Sequence, residues 1–261
     1  MAPDLFHDVT TDRIEDDGFF CRMSQMATDG NQQKVRWVQA RFKEGLALTL
    51  LGAKERGFVE VMPGEHCWRP IRAKGWDVIH CLWVVGASKG HGRGDALLDL
   101  VEARAKEHAR AGVAVVSRDK NWVTPRSFFE RRGYEVADET DGFVLLARPL
   151  KKGARLPRFV THDFAARLEK HGSGLVVFRT AQCPYLGDAT GNALALARAL
   201  RVPAKVVEFT SAKQLRDEAP SPYGTFAVAL DGTLLTSTYE LPKALAKLAA
   251  GSRTRKTDGR S

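Results

Sequence analysis

The chain has 261 residues, of which 44% are hydrophobic and 27% charged, and its formal net charge is +9. These values are those of an ordinary soluble globular protein, long enough for one large or two small domains. No apolar run approaches the roughly 20 residues that a membrane-spanning helix needs, and the N-terminus lacks the basic and apolar segments of a secretory signal. We therefore expect a cytoplasmic protein without a membrane partner.

Strand and helix patterns alternate in the first half of the chain. In chain order they predict a helix at 31–46, a strand at 57–62, an ambiguous segment at 71–76, a strand at 78–85, a helix at 95–109, a strand at 113–117, a short helix at 124–132 and a hairpin of 134–136 with 143–147. The helix at 95–109 has an apolar face formed by Leu97, Leu98, Val101 and Ala105. On its outer side we expect Glu102 to pair with Lys106.

Both patterns stop at 151–158, where we place a linker between a first domain (1–150) and a second domain (159–249). The second domain is predicted to contain a helix at 162–171, a strand at 175–178, a helix at 188–200, a strand at 205–209, a helix at 212–218, a hairpin of 226–230 with 234–237, and a helix at 242–249. We interpret 250–261 as a disordered basic tail. No internal repeat relates the two halves.

The positive charge is spread along the chain and is densest in the linker and the tail. This distribution disfavours nucleic acid as a partner and favours an anionic small molecule. The four cysteines Cys21, Cys67, Cys81 and Cys183 form no C-x-x-C pair. We therefore expect neither a metal site nor a disulfide framework. The sequence leaves a homodimer open.

A glycine-rich turn, Lys89-Gly90-His91-Gly92-Arg93-Gly94, lies between a predicted strand and a predicted helix. Backbone N–H groups at a helix start can converge on a phosphate, and glycine removes the Cβ atoms that would keep it away. The turn continues with Asp95-Ala96 instead of the Lys-Ser/Thr of a P-loop, and its glycine spacing is not that of a dinucleotide fold. The turn therefore predicts another ligand that carries a diphosphate.

The segment 82–98 resembles the acetyl-CoA motif of the GNAT acetyltransferase superfamily. That motif reads Gln/Arg-x-x-Gly-x-Gly/Ala, and Lys89, Gly92 and Gly94 stand at its fixed positions. The segment Phe128–Tyr134 is similar to a later GNAT segment that ends in Gly-Phe. Residues 57–70, 73–75 and 79–81 resemble YoaP-like GNAT proteins, which carry a second, C-terminal domain. Residues 182–185, 219–226 and 231–232 are similar to that appended domain.

The resemblance implies an α/β protein with an N-terminal mixed-sheet GNAT fold and a smaller C-terminal domain. It implies an N-acetyltransferase whose donor substrate, acetyl-CoA, binds where two central parallel strands splay apart. An amine acceptor, which the sequence does not identify, would attack the thioester directly. The residues implied in donor binding are Trp83, Val84, Val85, Lys89, Gly90, His91, Gly92, Arg93, Gly94 and Asp95.

For the general base, Glu60 is the first candidate, because the superfamily commonly directs its strand toward the acceptor. Glu65 and His80 are alternatives, and the reference pKa of histidine lies near neutrality. Trp68 and Arg69 could shape an acceptor pocket.

The general acid departs from the family pattern. Many GNAT enzymes have tyrosine where Phe129 stands, and phenylalanine has no proton to donate to the leaving thiolate. Tyr134 occupies the place of a packing aromatic, and Asn121 and Ser127 are candidate substitutes for the missing proton donor. This departure leaves a non-catalytic acyl-CoA sensor open as an alternative function.

The element order of the second domain suggests a thioredoxin-like fold, with Cys183-Pro184-Tyr185 between a strand and a helix. A helix N-terminus favours the thiolate, so we expect it to lower the pKa of Cys183. Leu186 stands in the place of a resolving cysteine, and Thr225 or Phe226 in the place of a cis-proline. Cys183 is thus a candidate catalytic residue of a monothiol redox protein, or part of a surface that holds the acceptor or a partner.

Overall fold

The computed structural model describes residues 5–22, 25–52, 54–119 and 123–258. The strands are β1 (Phe6–Asp8), β2 (Ala47–Leu51), β3 (Gly57–Pro63), β4 (Ile71–Arg72), β5 (Asp77–Val84), β6 (Gly112–Ser117), β7 (Glu135–Thr140), β8 (Phe143–Pro149), β9 (Arg158–Phe159), β10 (Leu175–Arg179), β11 (Ala204–Glu208), β12 (Phe226–Leu230) and β13 (Thr233–Thr236). The helices are α1 (Ile14–Asp17), α2 (Asp29–Phe42), α3 (Arg93–Glu107), α4 (Arg126–Glu130), α5 (Leu186–Leu200), α6 (Ala212–Glu218) and α7 (Pro242–Asp258). None of these helices is long and apolar enough to cross a membrane.

The first half forms a seven-stranded mixed sheet with the order β1-β2-β3-β5-β6-β8-β7. Strands β5 and β6 are parallel, whereas each other neighbouring pair in this sheet is antiparallel. The first four residues of β5 and all of β6 are buried. Their almost continuous apolar sequence is typical of central strands that are covered on both faces.

The parallel strands β5 and β6 pair over a short distance and then separate. Their register includes Asp77, Val78 and Ile79 of β5, opposite Val113, Ala114 and Val115. On its other side β5 carries a bulge, because Glu60 of β3 pairs with Cys81 whereas the next residue pairs with Ile79. His80 is the extra residue, and a bulge of this kind bends a strand and redirects its side chains.

The second half contains a four-stranded sheet with the order β11-β10-β12-β13. Strand β10 is parallel to β11 and antiparallel to β12, which forms a hairpin with β13. Helices α5 and α7 pack on one face through a cluster that includes Leu186, Ala193, Val228 and Leu245.

The two sheets share one continuous apolar core. It joins Trp37 and Trp68 of the first half to Phe178, Phe209 and Ala227 of the second. The predicted linker 151–158 lies against this core, because Ala154 and Leu156 pack on it and β9 pairs with β4. The division of the chain at 151–158 stays a prediction.

Most predicted elements are present, and several differ in detail. Helix α2 ends at Phe42 instead of at the predicted residue 46. Residues 165–171 of the predicted helix at 162–171 form a 3₁₀ helix, from Ala165 to His171, instead of an α-helix. Helix α7 runs to Asp258, so much of the tail predicted as disordered is helical, in keeping with the high helix propensity of its Ala and Lys residues. The sequence patterns did not predict β1, α1, β2 or β9.

The predicted pairing of Glu102 with Lys106 is wrong. Glu102 is buried and its carboxylate lies 3.2 Å from the Arg148 guanidinium of β8. Burial raises the pKa of Glu102. The opposite charge therefore comes from a neighbouring strand, which helical spacing could not indicate.

Candidate active site

A cavity of about 120 Å³ lies between the two halves of the protein, at the end of β5. Glu60, His80 and Cys183, the three candidate catalytic residues, all line it, and Arg69 does too. The other lining residues are Cys21, Cys81, Trp83, Val123, Gln182, Tyr185, Leu186, Tyr223, Thr225, Phe226, Ser237, Thr238 and Tyr239. Both halves of the chain therefore form the wall of one cavity.

Glu60 is held by an ion pair with Lys34 of α2. Both side chains are buried, with 2% and 3% of their surface exposed. The ammonium of Lys34 also lies over the rings of Phe19 and Trp37, at 5.6 and 5.3 Å from their centroids. Lys34 thus supplies the opposite charge that a buried carboxylate requires. Sequence reasoning missed Lys34, because it looks like an ordinary helix lysine.

His80 is positioned by the backbone of Trp68. Its Nε2 accepts a hydrogen bond of 2.8 Å from the Trp68 N–H. Burial, together with the nearby charges of Arg69 and Lys34, holds the pKa of His80 well below its usual value. His80 is therefore a neutral imidazole whose basic nitrogen already accepts a hydrogen bond from a backbone N–H group.

Three cysteine thiols surround the cavity, on Cys21, Cys81 and Cys183. Burial raises the pKa of Cys183 and of Cys81, and raises that of Cys21 to about 12. The expectation that the start of α5 lowers the pKa of Cys183 is wrong, because burial raises this pKa more than the backbone hydrogen bond at Tyr185 lowers it. All three side chains are neutral thiols near pH 7.

Arg69 is buried at the cavity wall, with 2% of its surface exposed. Its guanidinium donates hydrogen bonds to four oxygens, the backbone oxygens of Trp68 (2.8 Å) and His80 (2.6 Å) and the side-chain oxygens of Gln182 (2.7 Å) and Thr225 (3.0 Å). Two of these partners come from the second half of the chain. The second half therefore fixes the orientation of a first-half arginine.

A smaller cavity of about 30 Å³ lies where β5 and β6 separate. Phe129 lines it, whereas Tyr134 packs against Phe129 at 5.5 Å between ring centroids and is not among the lining residues. Tyr223 lines both cavities, and its ring lies under the Arg69 guanidinium at 4.4 Å. Burial raises the pKa of Tyr223, so its phenol stays protonated.

The glycine-rich turn follows β5 and opens at the start of α3. Gly90 and Gly92 have positive φ angles of +79° and +69°, and a Cβ added to either would meet no atom within 4 Å. The first i to i−4 bond of α3 runs from Ala96 N to Gly92 O, at 3.0 Å. The N–H groups at the start of α3 precede this bond, so they have no acceptor within the helix. A Cβ on Gly94, by contrast, would lie 3.3 Å from the Phe128 ring.

The side chains of this turn differ in their partners. Lys89 and His91 are exposed, and the Lys89 ammonium lies 5.9 Å from the Trp83 ring centroid. The Arg93 guanidinium forms an ion pair of 2.6 Å with Glu55, whose pKa is lowered by that hydrogen bond. Asp95 lies 3.8 Å from Arg132.

Val84 and Val85 complete the end of β5 beside β3. Val84 pairs with Gly57, and Val85 N donates to Arg56 O at 2.9 Å. Beyond Ile79 the described register gives β5 no partner on the β6 side. At that edge Leu82 O accepts a hydrogen bond of 2.9 Å from the Thr124 hydroxyl.

The remaining candidates do not line the cavity that contains Glu60. Glu65 forms an ion pair of 2.8 Å with Arg110. Partial burial raises the pKa of Glu65, but the hydrogen bonds that it accepts, that of Arg110 first, lower this pKa below its usual value. Trp68 is buried against Trp37, and Ser127 is exposed. Asn121 lies outside the described residues.

The separated parallel pair, the bulge in β5 and the glycine-rich turn together define a mixed α/β, GNAT-like fold. The chain is 29% identical over 233 residues to a Bacillus subtilis (strain 168) protein named "Uncharacterized N-acetyltransferase YoaP", and the match covers 88% of this chain and 92% of that protein. The YoaP-like resemblance of the sequence is confirmed. No family model matches the chain.

Solved GNAT structures are also similar, at low identity. An acetyltransferase of the GNAT family from Staphylococcus aureus Mu50 is 15% identical with a TM-score of 0.42, covering 57% of this chain and all of that one (100%). The Escherichia coli GNAT N-acetyltransferase YhbS, solved with CoA, is 15% identical with a TM-score of 0.41, covering 59% of this chain and 88% of that one.

Proposed function

We propose that this protein is an N-acetyltransferase that moves an acetyl group from acetyl-CoA to a small amine. The observation that carries the proposal is the separation of β5 from β6 beside the Glu60 cavity, with an open helix N-terminus at the end of β5. The named activity of the YoaP relative supports it.

The donor site follows from the end of β5. The backbone N–H groups of Gly90 to Asp95 bind the pyrophosphate, helped by the positive end of α3 and by Lys89 and His91. Arg93 contributes less charge than the sequence suggests, because Glu55 already neutralises it. The pantetheine chain lies along Trp83 to Val85, on the edge that β6 leaves free. The thioester then enters through the smaller cavity.

The chemical step is a direct transfer. The neutral amine nitrogen attacks the thioester carbonyl carbon, so a C–N bond forms and the C–S bond breaks. Glu60 accepts the proton that the nitrogen loses, and the CoA sulfur receives one from a donor in the protein. The proton on Glu60 passes to solvent, and solvent restores the donor. Positioning and proton transfer are the tasks of the protein.

Glu60 is the general base of this proposal, in preference to Glu65 and His80. Its carboxylate lines the cavity, whereas Glu65 is held by Arg110 outside it. The Nε2 of His80 is occupied by the Trp68 N–H. We assign His80 the role of supporting the bulge that separates the strands.

Tyr223 is the proton donor to the leaving thiolate. It lines both cavities, at the point through which the thioester passes, and it keeps its phenolic proton. The proton donor that a phenylalanine at position 129 cannot provide would thus come from the second half of the chain.

We also propose that the second half is a thioredoxin-like domain, and the element order β10, α5, β11, α6 and the β12–β13 hairpin supports this proposal. The neutral state of Cys183 does not favour redox chemistry through a thiolate. We therefore assign Cys183 to the wall of the acceptor pocket. The four free cysteines among the described residues accord with a cytoplasmic location.

The test is turnover of acetyl-CoA with a panel of small primary amines, followed by free-thiol release and by mass spectrometry of the product. We expect an N-acetylated product and thiol release in equal amounts. The contrary result is that CoA binds but that no amine raises the rate of thiol release above that of acetyl-CoA hydrolysis without an amine. It would contradict the proposal and favour a CoA-binding sensor.

A further inference from the structure

Arg69 is a buried cation that has no buried anion beside it. Its four hydrogen-bond acceptors, two backbone carbonyls and the side chains of Gln182 and Thr225, are all neutral. Among the described residues no carboxylate forms an ion pair with it. Arginine stays charged in proteins, and burial of a charge is costly unless an opposite charge balances it. Four oxygens and the Tyr223 ring at 4.4 Å stabilise the guanidinium, but none of these described partners carries a negative charge that would balance it.

The other charged residue of the cavity wall does not fill this role. Glu60 is already balanced by Lys34 from behind the cavity. Among the described lining residues, Glu60 and Arg69 are the ones that carry charge near pH 7. With Lys34 included, the three charges sum to +1, so the cavity is electrostatically suited to a ligand with an anionic group.

The hydrogen bonds of Arg69 leave part of the guanidinium without a partner among the described residues. A guanidinium has five N–H donors. The acceptors of Trp68, Gln182 and Thr225 occupy Nη1, one acceptor from His80 occupies Nη2, and the buried Nε has no partner in the part of the chain that the structure describes. The Nε donor and one Nη2 donor remain, which are two N–H groups of the kind that bind a carboxylate through parallel hydrogen bonds.

We propose that the acceptor is a small apolar amino acid whose carboxylate binds Arg69 while its amine faces Glu60. This inference rests on the proposed acetyltransferase function and names its acceptor class. The rest of the wall is mostly apolar, with Trp83, Leu186, Phe226 and the neutral thiols of the cysteines. A cavity of about 120 Å³ is somewhat smaller than an engineered cavity of ~150 Å³ that holds benzene. It therefore suits side chains of about the size of alanine to leucine.

This assignment also gives the second half of the chain a role in specificity. Gln182 and Thr225 accept hydrogen bonds from Nη1 of Arg69 and so fix the orientation of its guanidinium. They are positioning residues, because they would act on the acceptor through Arg69. A GNAT-like sheet without the second half would lack both.

The test compares each amino acid with matched compounds that lack the carboxylate. Wild-type protein and acetyl-CoA are incubated with L-alanine, L-valine or L-leucine, with the three corresponding amides, and with ethylamine, isobutylamine and isoamylamine. We expect kcat/KM for at least one acid to exceed that of its amide and its amine by about 100-fold or more, since a site built to bind a polar group rejects analogues without it.

Three outcomes are informative in different ways. Equal or faster turnover of the amides and amines would overturn the carboxylate site and leave the acetyltransferase function standing. Binding of CoA without acetylation of any of the three acids would also overturn it. Failure of CoA itself to bind, measured by calorimetry, would instead overturn the proposed function.

Variants of Arg69 test the same contact from the side of the protein. In Arg69→Met we expect the ratio of kcat/KM between acid and amide to fall to about 1. In Arg69→Lys we expect this ratio to fall less, because lysine keeps the positive charge but lacks the paired N–H donors of the guanidinium. This ratio does not depend on how much of the variant is folded. Arg179→Met is the control, since Arg179 is also buried but does not line the cavity; its ratio should stay at the wild-type value, and an unchanged ratio in Arg69→Met would contradict the proposal.

Discussion

Lys34 of α2 and Glu60 of β3 form an ion pair inside the protein, and one of the two, Glu60, lines the cavity between the halves. The pair ties the helix that contacts the second half to the strand that carries the proposed base. Gly30, one turn before Lys34, packs so closely on Pro184 that a Cβ atom would overlap its carbonyl. The base is therefore positioned from both halves.

Removal of Lys34 alone should destabilise the protein. In Lys34→Met the Glu60 carboxylate stays buried without its opposite charge, and loss of one partner of a buried pair costs ~3–5 kcal/mol. Urea denaturation measures this change in the free energy of unfolding. The double variant with Glu60→Gln should recover a large part of the loss, and strictly additive losses would contradict a direct pair.

The base itself is tested by Glu60→Gln. We expect kcat to fall by about 10²–10⁴-fold, the usual contribution of a positioned base, whereas CoA affinity should not change. Glu65→Gln is the matched control, because Glu65 pairs with Arg110 away from the cavity. Equal kinetic effects of the two substitutions would exclude Glu60 as the base.

Tyr223→Phe tests the proton donor to the thiolate. The variant keeps the ring that stacks on Phe143 and lies under Arg69, so its fold should be intact. We expect kcat to fall by about 100-fold, since the hydroxyl alone is lost. Tyr134→Phe, which changes a buried tyrosine outside both cavities, should leave kcat near the wild-type value. An unaffected kcat in Tyr223→Phe would contradict this role.

The buried, neutral His80 makes stability depend on pH. Its pKa in the folded protein lies well below the unfolded value of about 6.5, so the unfolded chain binds one more proton between these two values. The contribution of His80 to the free energy of unfolding is thus fully present above pH 6.5 and is lost as the pH falls toward the pKa of the folded state. Below pH 6 the free energy of unfolding of the wild type should fall by up to ~1.4 kcal/mol per pH unit more than that of His80→Gln. Urea denaturation at several pH values measures this difference. Parallel pH profiles would show that His80 is not buried neutral.

The sequence predicted much of the fold because the elements of the site carry strong local patterns. The apolar run of β5, the glycine-rich turn and α3 follow one another, and α6 has the predicted bounds. The sequence indicates Glu60, His80 and Cys183 for separate reasons, and the structure brings them to one cavity.

The parts that the sequence did not predict depend on contacts between distant segments. Lys34 and Tyr223 look like ordinary residues until α2 and the second half pack around β5. The pKa of Cys183 was expected to fall because helix position is visible in a sequence, whereas burial by the other half is not. Short strands such as β9 have too few residues to show the alternation of apolar and polar side chains that is typical of a strand.

The most direct test of the account is calorimetric titration of CoA into the wild type and into Gly92→Asp. The new carboxylate would stand at the open start of α3, where like charge repels the pyrophosphate, and its Cβ meets no protein atom. Gly153→Asp is the control, because Gly153 also has a positive φ, +72°, and open space around its Cβ, but lies outside the turn. We expect the wild type and Gly153→Asp to bind CoA alike and Gly92→Asp to bind at least about 10-fold more weakly; equal affinity of all three proteins, or no binding by the wild type, would contradict the assigned donor site.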